Sequence, residues 1–200
     1  MADPGCNLIL VRHSLPEMVA GVPASQWPLS AEGRRRCAVL AGRLEGRQPT
    51  IVVASQEPKA VETGQIVAGM LGLPFETAPG LHEHERGVVR DPGNRGAFQA
   101  QVAAFLERPG ELVFGRETAD AAHGRFSQAV AGVLARHPTH SPAIISHGTV
   151  MSLFIARSAV GDGLDPLSLW QSLGLPAFAV LSLPGLQLLE VVAKVSEAVR

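Results

Sequence analysis

Three short runs of the sequence are apolar throughout: Leu8 to Val11, Ile51 to Ala54 and Ala143 to Ile145. A strand with no polar alternation reads as buried on both faces, and helices must then cover the sheet above and below. Helical patterns lie between these runs. Residues 28–44, "PLSAEGRRRCAVLAGRL", open with Ser30 as an N-cap, and residues 58–72, "PKAVETGQIVAGMLG", place Pro58 in a first turn. A short strand is expected in "LPFETAP", and residues 97–137 read as helical with a break around "RPGELVFGRET". "TVMSLFIARSAV" is a further helix, and "AFAVLSLPGLQLLEVV" a hairpin turning at Pro184-Gly185. The longer apolar stretch from Leu167 to Val195 is interrupted by Gly174, Pro176, Pro184 and Gly185, and reads as strands and turns. The expected fold is α/β: a three-layer α/β/α sandwich with a mostly parallel mixed sheet and a terminal β-hairpin, residues 1–200 forming one domain.

Two of the buried strands end in histidine, His13 and His147, and Arg12 precedes the first. Burying such groups is costly without partners. In open α/β sheets, however, ligands bind outside the carboxyl ends of the strands. If the two strands are neighbours, one pocket receives a fixed cation and two imidazoles. Phosphate fits that set: arginine presents a planar fork to two oxygens, and a neutral imidazole can attack phosphorus. Nearby cations would hold His13 neutral and nucleophilic.

Composition limits the alternatives. The net charge of −1 provides no global field for nucleic acid or an anionic membrane, and no apolar stretch suits a membrane span. Cys6 and Cys37 read as reduced thiols, and the N-terminus is no secretory signal, so a cytoplasmic location is expected. "HEHE" at His82 to Glu85 lacks the zincin spacing and reads as a polar loop beside the pocket; Arg34 to Arg36 read as a solvated helix face. Glu117 is either a residue that orients a helix near the site or a surface charge.

The chain resembles the histidine phosphatase superfamily, phosphoglycerate-mutase-like branch 1, over most of its length. "LILVRHS" is similar to the family's strand ending in Arg-His-Gly, and "PLSAEGRRRCAVLAGRL" to its Leu-Ser/Thr-x-x-Gly helix start. "VVASQEPKAVETGQIVA" resembles the Ser-Ser-x-x-x-Arg-Ala-x-Gln-Thr-Ala segment, and "LHEHERG" the Leu-x-Glu-x-x-x-Gly segment. "GRETADAAHGRF" is similar to the Gly-Glu-Ser helix, and "AIISHG" to the second-histidine strand.

The resemblance implies that His13 is the nucleophile, becoming a phosphohistidine, and that Arg12 and His147 hold the phosphoryl oxygens. Glu83 would be the acid and base, with Glu85 its rival, and neither a metal nor another cofactor is required. Ser14 replaces the family's glycine, and its hydroxyl is a candidate phosphate contact. Lys59 stands at the second arginine, keeping the charge without the fork; alternatively Lys59 is solvated and an arginine such as Arg86 or Arg90 takes the phosphate. Arg86, Arg90 and Arg95 are also candidates for the rest of a substrate. The expected activity is metal-independent hydrolysis of a small phosphorylated metabolite. A phosphoglycerate mutase-type phosphotransferase and a catalytically weakened phosphate-binding or interaction module are the alternatives.

Overall fold

The computed structural model describes residues 5–86, 95–160 and 163–195. The strands are β1 (Asn7–Arg12), β2 (Ile51–Ala54), β3 (Phe75–Thr77), β4 (Pro142–Ser146), β5 (Ala177–Ser182) and β6 (Gln187–Val192). The α-helices among the described residues are α1 (Ala31–Glu45), α2 (Pro58–Leu71), α3 (Arg95–Glu107), α4 (Ala119–Arg136), α5 (Gly148–Ser158) and α6 (Pro166–Ser172). One sheet runs in the order β3-β2-β4-β1-β5-β6. The pairs β3-β2, β2-β4 and β4-β1 are parallel, whereas β5 runs antiparallel to both β1 and β6. The fold is the expected sandwich with its terminal hairpin.

The apolar runs divide by residue parity. Leu8, Leu10, Ile51, Val53 and Ile144 pack with Phe105 of α3, Phe126 of α4, Leu153 of α5 and Trp170 of α6. Ile9, Val11, Val52, Ala54, Ala143 and Ile145 pack on the other face with Leu40 and Leu44 of α1 and Val67 of α2. Side chains alternate across a strand, so a run with no polar residue supplies both cores at once.

Local chemistry sets the helix starts. Ser30 caps α1 by accepting from the Gly33 N–H, and Pro58 opens α2, where its missing N–H costs nothing. The stretch from Leu167 requires a correction: its first part is helix α6, not strand or turn. Asp165, just upstream, accepts from the N–H groups of Leu167 and Ser168, and Leu169 and Trp170 are buried. The cap and the buried face together outweigh the glycines and prolines that follow.

Among the described residues, no helix is long and apolar enough to cross a membrane. Cys6 and Cys37 are both free thiols.

Candidate active site

Strands β1 and β4 are parallel neighbours with Arg12 opposite Ser146. The residues that follow therefore leave the sheet side by side, and the His13 N–H donates to the Ser146 carbonyl at 2.9 Å. The two imidazole rings lie 5.1 Å apart at an interplanar angle of 61°.

His13 Nδ1 lies 2.7 Å from the Ser14 carbonyl oxygen. A carbonyl only accepts, so the neutral ring carries its proton on Nδ1 and its lone pair on Nε2. Burial, then Lys59 and Arg12, hold this imidazole well below its ordinary value of 6.5. His147 is depressed in the same way by burial, Lys59 and His13. Its Nε2 meets Ser55 Oγ at 2.9 Å, and its buried Nδ1 has no partner among the described residues.

Arg12 donates through Nη1 to the Leu173 carbonyl, while its buried Nε has no partner among the described residues. Burial lowers the guanidinium to about 10, with Glu83 opposing, so it stays charged at neutral pH. The guanidinium rests against Gly148, where an added Cβ would come within 2.9 Å of Arg12 Cζ. The glycine after His147 is thus required by the arginine before His13.

The segment leaving His13 is tied to both α1 and α2. Ser14 is fully buried; its N–H donates to Thr63 Oγ1 at 3.1 Å and its hydroxyl to the Gly33 carbonyl at 2.7 Å. A Cβ on Gly33 would lie 2.1 Å from the Leu15 carbonyl oxygen. Only glycine admits that approach. Cys37 Sγ also donates to the Gly33 carbonyl, which places this thiol in the same contact.

Lys59 and Glu57 form a buried ion pair, and the ammonium also donates to the Ala24 carbonyl at 2.6 Å. Burial lowers the lysine, with Glu57 opposing. The other Glu57 oxygen, Oε1, accepts from the Glu83 N–H at 2.9 Å and lies 3.6 Å from His147 Nε2.

Glu83 reaches the N-terminus of α5. Its carboxylate accepts from the N–H groups of Thr149 at 3.1 Å, Val150 at 3.3 Å and His84 at 2.9 Å. Arg86 pairs with Oε2 at 2.9 Å. Burial alone would raise this carboxyl, but Arg86, the His84 and Thr149 N–H groups and Arg12 together bring it to about 2. The free protein therefore holds Glu83 ionised.

The loop carrying Glu83 is pinned by a residue that the sequence did not single out. Arg125 of α4 donates to the carbonyls of Gly80, His82 and Glu83 at 2.8, 2.9 and 3.3 Å, and pairs with Glu117 at 2.6 Å. Glu117 Oε1 in turn accepts from the Glu85 N–H at 3.2 Å. Glu117 is therefore neither a free surface charge nor a helix-orienting residue: it holds the loop. Ser55 was also missed: it lies at the carboxyl end of β2, and only the strand order brings it beside His147.

The "HEHE" side chains diverge. His84 packs against Phe105 and Phe114, with ring centroids at 4.1 and 4.6 Å, while Glu83 turns to α5. Among the described residues no three His, Cys, Asp or Glu side chains converge as a metal site. Arg34 and Arg35 are exposed and Arg36 is half-buried; all three pair with Glu62 or Glu32. Arg90 and the side chain of Arg95 lie outside the described residues.

Among the described residues, the charges at the centre comprise three cations, Arg12, Lys59 and Arg86, against two carboxylates, Glu57 and Glu83. With both histidines neutral the excess is positive, which suits an anion.

A sequence model of the histidine phosphatase superfamily (branch 1) matches residues 8–180. Comparison with curated protein sequences finds no match. Among solved structures, a mycobacterial glucosyl-3-phosphoglycerate phosphatase superposes with a TM-score of 0.71 at 19% identity, covering 96% of this chain and 99% of that one. The alpha-ribazole phosphatase of Shigella flexneri gives 0.68 at 22% identity, covering 97% and 99%. A phosphoserine phosphatase mutant from Entamoeba histolytica, in complex with phosphoserine, gives 0.69 at 15% identity, covering 94% and 97%. At these identities the likeness establishes the fold.

Proposed function

Because the chain belongs to the histidine phosphatase superfamily, branch 1, we propose that it hydrolyses a small phosphorylated metabolite through a phosphohistidine on His13. The observation that carries this reading is the His13 ring. Its Nδ1–H is held by the Ser14 carbonyl, which leaves the Nε2 lone pair for phosphorus, with His147 and Arg12 beside it.

In the first step, His13 Nε2 forms a bond to phosphorus as the ester P–O bond breaks. The leaving oxygen takes a proton from the Glu83 carboxyl. In the second, Glu83 accepts a proton from water as the water oxygen bonds to phosphorus and the N–P bond breaks. Arg12, Lys59 and a proton donor on His147 neutralise the phosphoryl oxygens, the role a metal plays elsewhere. If Ser55 Oγ donates to His147 Nε2, the His147 proton sits on Nδ1 and is available to phosphate. The Ser14 hydroxyl, a candidate phosphate contact in the sequence, is instead buried and donates to the Gly33 carbonyl, so we give Ser14 a supporting role through that tether.

Support for a small phosphorylated substrate comes from structural neighbours that are glucosyl-3-phosphoglycerate, alpha-ribazole and phosphoserine phosphatases by name. Two free thiols suit a reducing, cytoplasmic setting. One observation favours a second reading, a phosphate-binding module: the Lys59 ammonium is already engaged by Glu57.

Brief incubation with a radiolabelled phosphomonoester, followed by a denaturing quench, separates the two. The hydrolase reading expects an acid-labile, base-stable label that is absent from His13→Gln. Undiminished labelling in His13→Gln would remove the nucleophile assignment, and no label or turnover on a panel of phosphorylated metabolites would favour the module.

A further inference from the structure

Building on the phosphatase reading, we propose that Arg86 is a direct ligand of the substrate's phosphoryl group, supplying the second guanidinium fork, and that it leaves Glu83 to do so.

A phosphoryl group with three non-bridging oxygens needs more donors than Arg12 provides. Position 59 offers an ammonium, which lacks the fork and already has two partners, the Glu57 carboxylate and the Ala24 carbonyl. Among the described residues at the centre, the remaining cation is Arg86. Its guanidinium lies 2.9 Å from Glu83 Oε2, and its Cζ stands 4.7 Å from the centre of the Phe98 ring. Stacking on an aromatic face fixes the plane of a guanidinium and leaves its N–H edge for an anion. The side chain is 19% exposed, against 6% for Lys59, so it meets an entering ligand more readily. Its charge also reaches the other groups of the pocket, disfavouring the charged forms of Arg12, Lys59 and His147.

The exchange of partners answers a difficulty in the mechanism. Glu83 must carry a proton to act on the leaving group, yet the free protein holds it as a carboxylate. The groups that hold it are Arg86 on its own loop, Arg12 on β1, and the N–H groups of His84, Thr149 and Val150. A phosphate dianion that takes Arg86 removes the strongest of these cations and brings negative charge close to the carboxyl. Both changes favour protonation. Substrate binding would then arm the acid.

Calorimetric titration of inorganic phosphate into the wild type, Arg86→Met and Glu83→Gln tests this without relying on turnover. Methionine keeps apolar contact with Phe98 and removes the charge. A phosphoryl ligand at Arg86 means at least tenfold weaker phosphate binding in Arg86→Met. Glu83→Gln should bind phosphate more tightly, because the guanidinium is released and a repelling anion is lost. If Arg86 is only a tether for the Glu83 loop, both variants weaken binding together, and that result overturns the proposal. So does wild-type affinity in Arg86→Met. Arg86→Lys, with partial affinity expected, covers the case in which Arg86→Met does not fold by circular dichroism. A wild type that binds phosphate but hydrolyses no ester would sink the phosphatase reading, whereas the contrast between the two variants would still decide the role of Arg86.

Discussion

Glu57 places one carboxylate oxygen on the Lys59 ammonium and the other 3.6 Å from His147 Nε2, so a buried anion sits between two of the groups assigned to phosphate. Removing the cation alone would strand that carboxylate. Lys59→Met is expected to lose about 3–5 kcal/mol of stability. Glu57→Gln combined with Lys59→Met should recover most of the loss, because neither charge is then left unpaired. Urea unfolding of the two single variants and the double variant measures the coupling. Simple addition of the single losses would mean that the pair contributes no specific interaction.

The acid side of the stability curve should report Glu83. Its carboxyl lies at about 2 in the folded chain against an ordinary 4.5. A depressed folded value stabilises above the unfolded one, and that contribution is lost as the pH falls from 4.5 towards 2. The contribution at neutral pH is on the order of 3 kcal/mol. Glu83→Gln should therefore be less stable than wild type at pH 7, with the gap closing over this window in denaturant titrations. A gap that stays constant with pH would show that the carboxylate is not held as described.

His13 and His147 act in a higher range. Both lie well below 6.5 in the folded chain, chiefly through burial. The unfolded chain takes up protons below about 6.5 that the folded site refuses, so stability falls as the pH drops through that value. In the ring-proton NMR spectrum, neither histidine should titrate between pH 7.5 and pH 6. A midpoint near 6.5 for His13 would contradict the neutral nucleophile proposed here.

Gly33→Ala tests the packing behind His13. The new methyl would meet the Leu15 carbonyl at 2.1 Å, a backbone atom that cannot rotate away. Overpacking of this kind costs about 1–3 kcal/mol, and relief requires the segment from His13 to Leu15 to move. The expected outcome is a lower thermal midpoint together with a loss in kcat/KM of at least tenfold, since a small misplacement of a nucleophile is costly. Wild-type kinetics in a folded Gly33→Ala protein would show that the loop tolerates the displacement.

Arg125→Met removes the donor to three carbonyls of the Glu83 loop. Hydrogen bonds to a charged group contribute about 1.5–3 kcal/mol each and are not additive, so a loss of about 3 kcal/mol is expected. Because the loop carries Glu83, the proposed acid, turnover should fall further for alkyl than for phenolic phosphates, as only the former need a proton on the leaving oxygen. Equal losses on both esters would confine Arg125 to stability.

Much of this molecule was legible from local pattern. The unbroken apolar runs at Leu8, Ile51 and Ala143 announced strands buried on both faces, and Ser30 and Pro58 marked two helix starts. These signals act within a few residues: alternation along a strand, a cap at a helix end, a fixed φ in a first turn. The position of Arg12, His13 and His147 at strand ends was readable for the same reason. Helix α6 carries a weaker local signal, because its cap, Asp165, precedes the apolar stretch and glycines and prolines follow it.

Tertiary structure alone decided who partners whom. Adjacency of β1 and β4 set the 5.1 Å between the histidines, and adjacency of β2 and β4 brought Ser55 to His147. Arg125 reaches a loop more than forty residues earlier in the chain, and Glu83 reaches the start of α5, more than sixty residues later. Polar contacts of this kind follow no period and leave no spacing in the sequence. Which carboxylate holds which cation depends on distances that exist only once both cores have closed on the sheet. The sequence by itself determined most of the elements and the strand ends where Arg12, His13 and His147 emerge; the packing of those elements decided the charge of each group there.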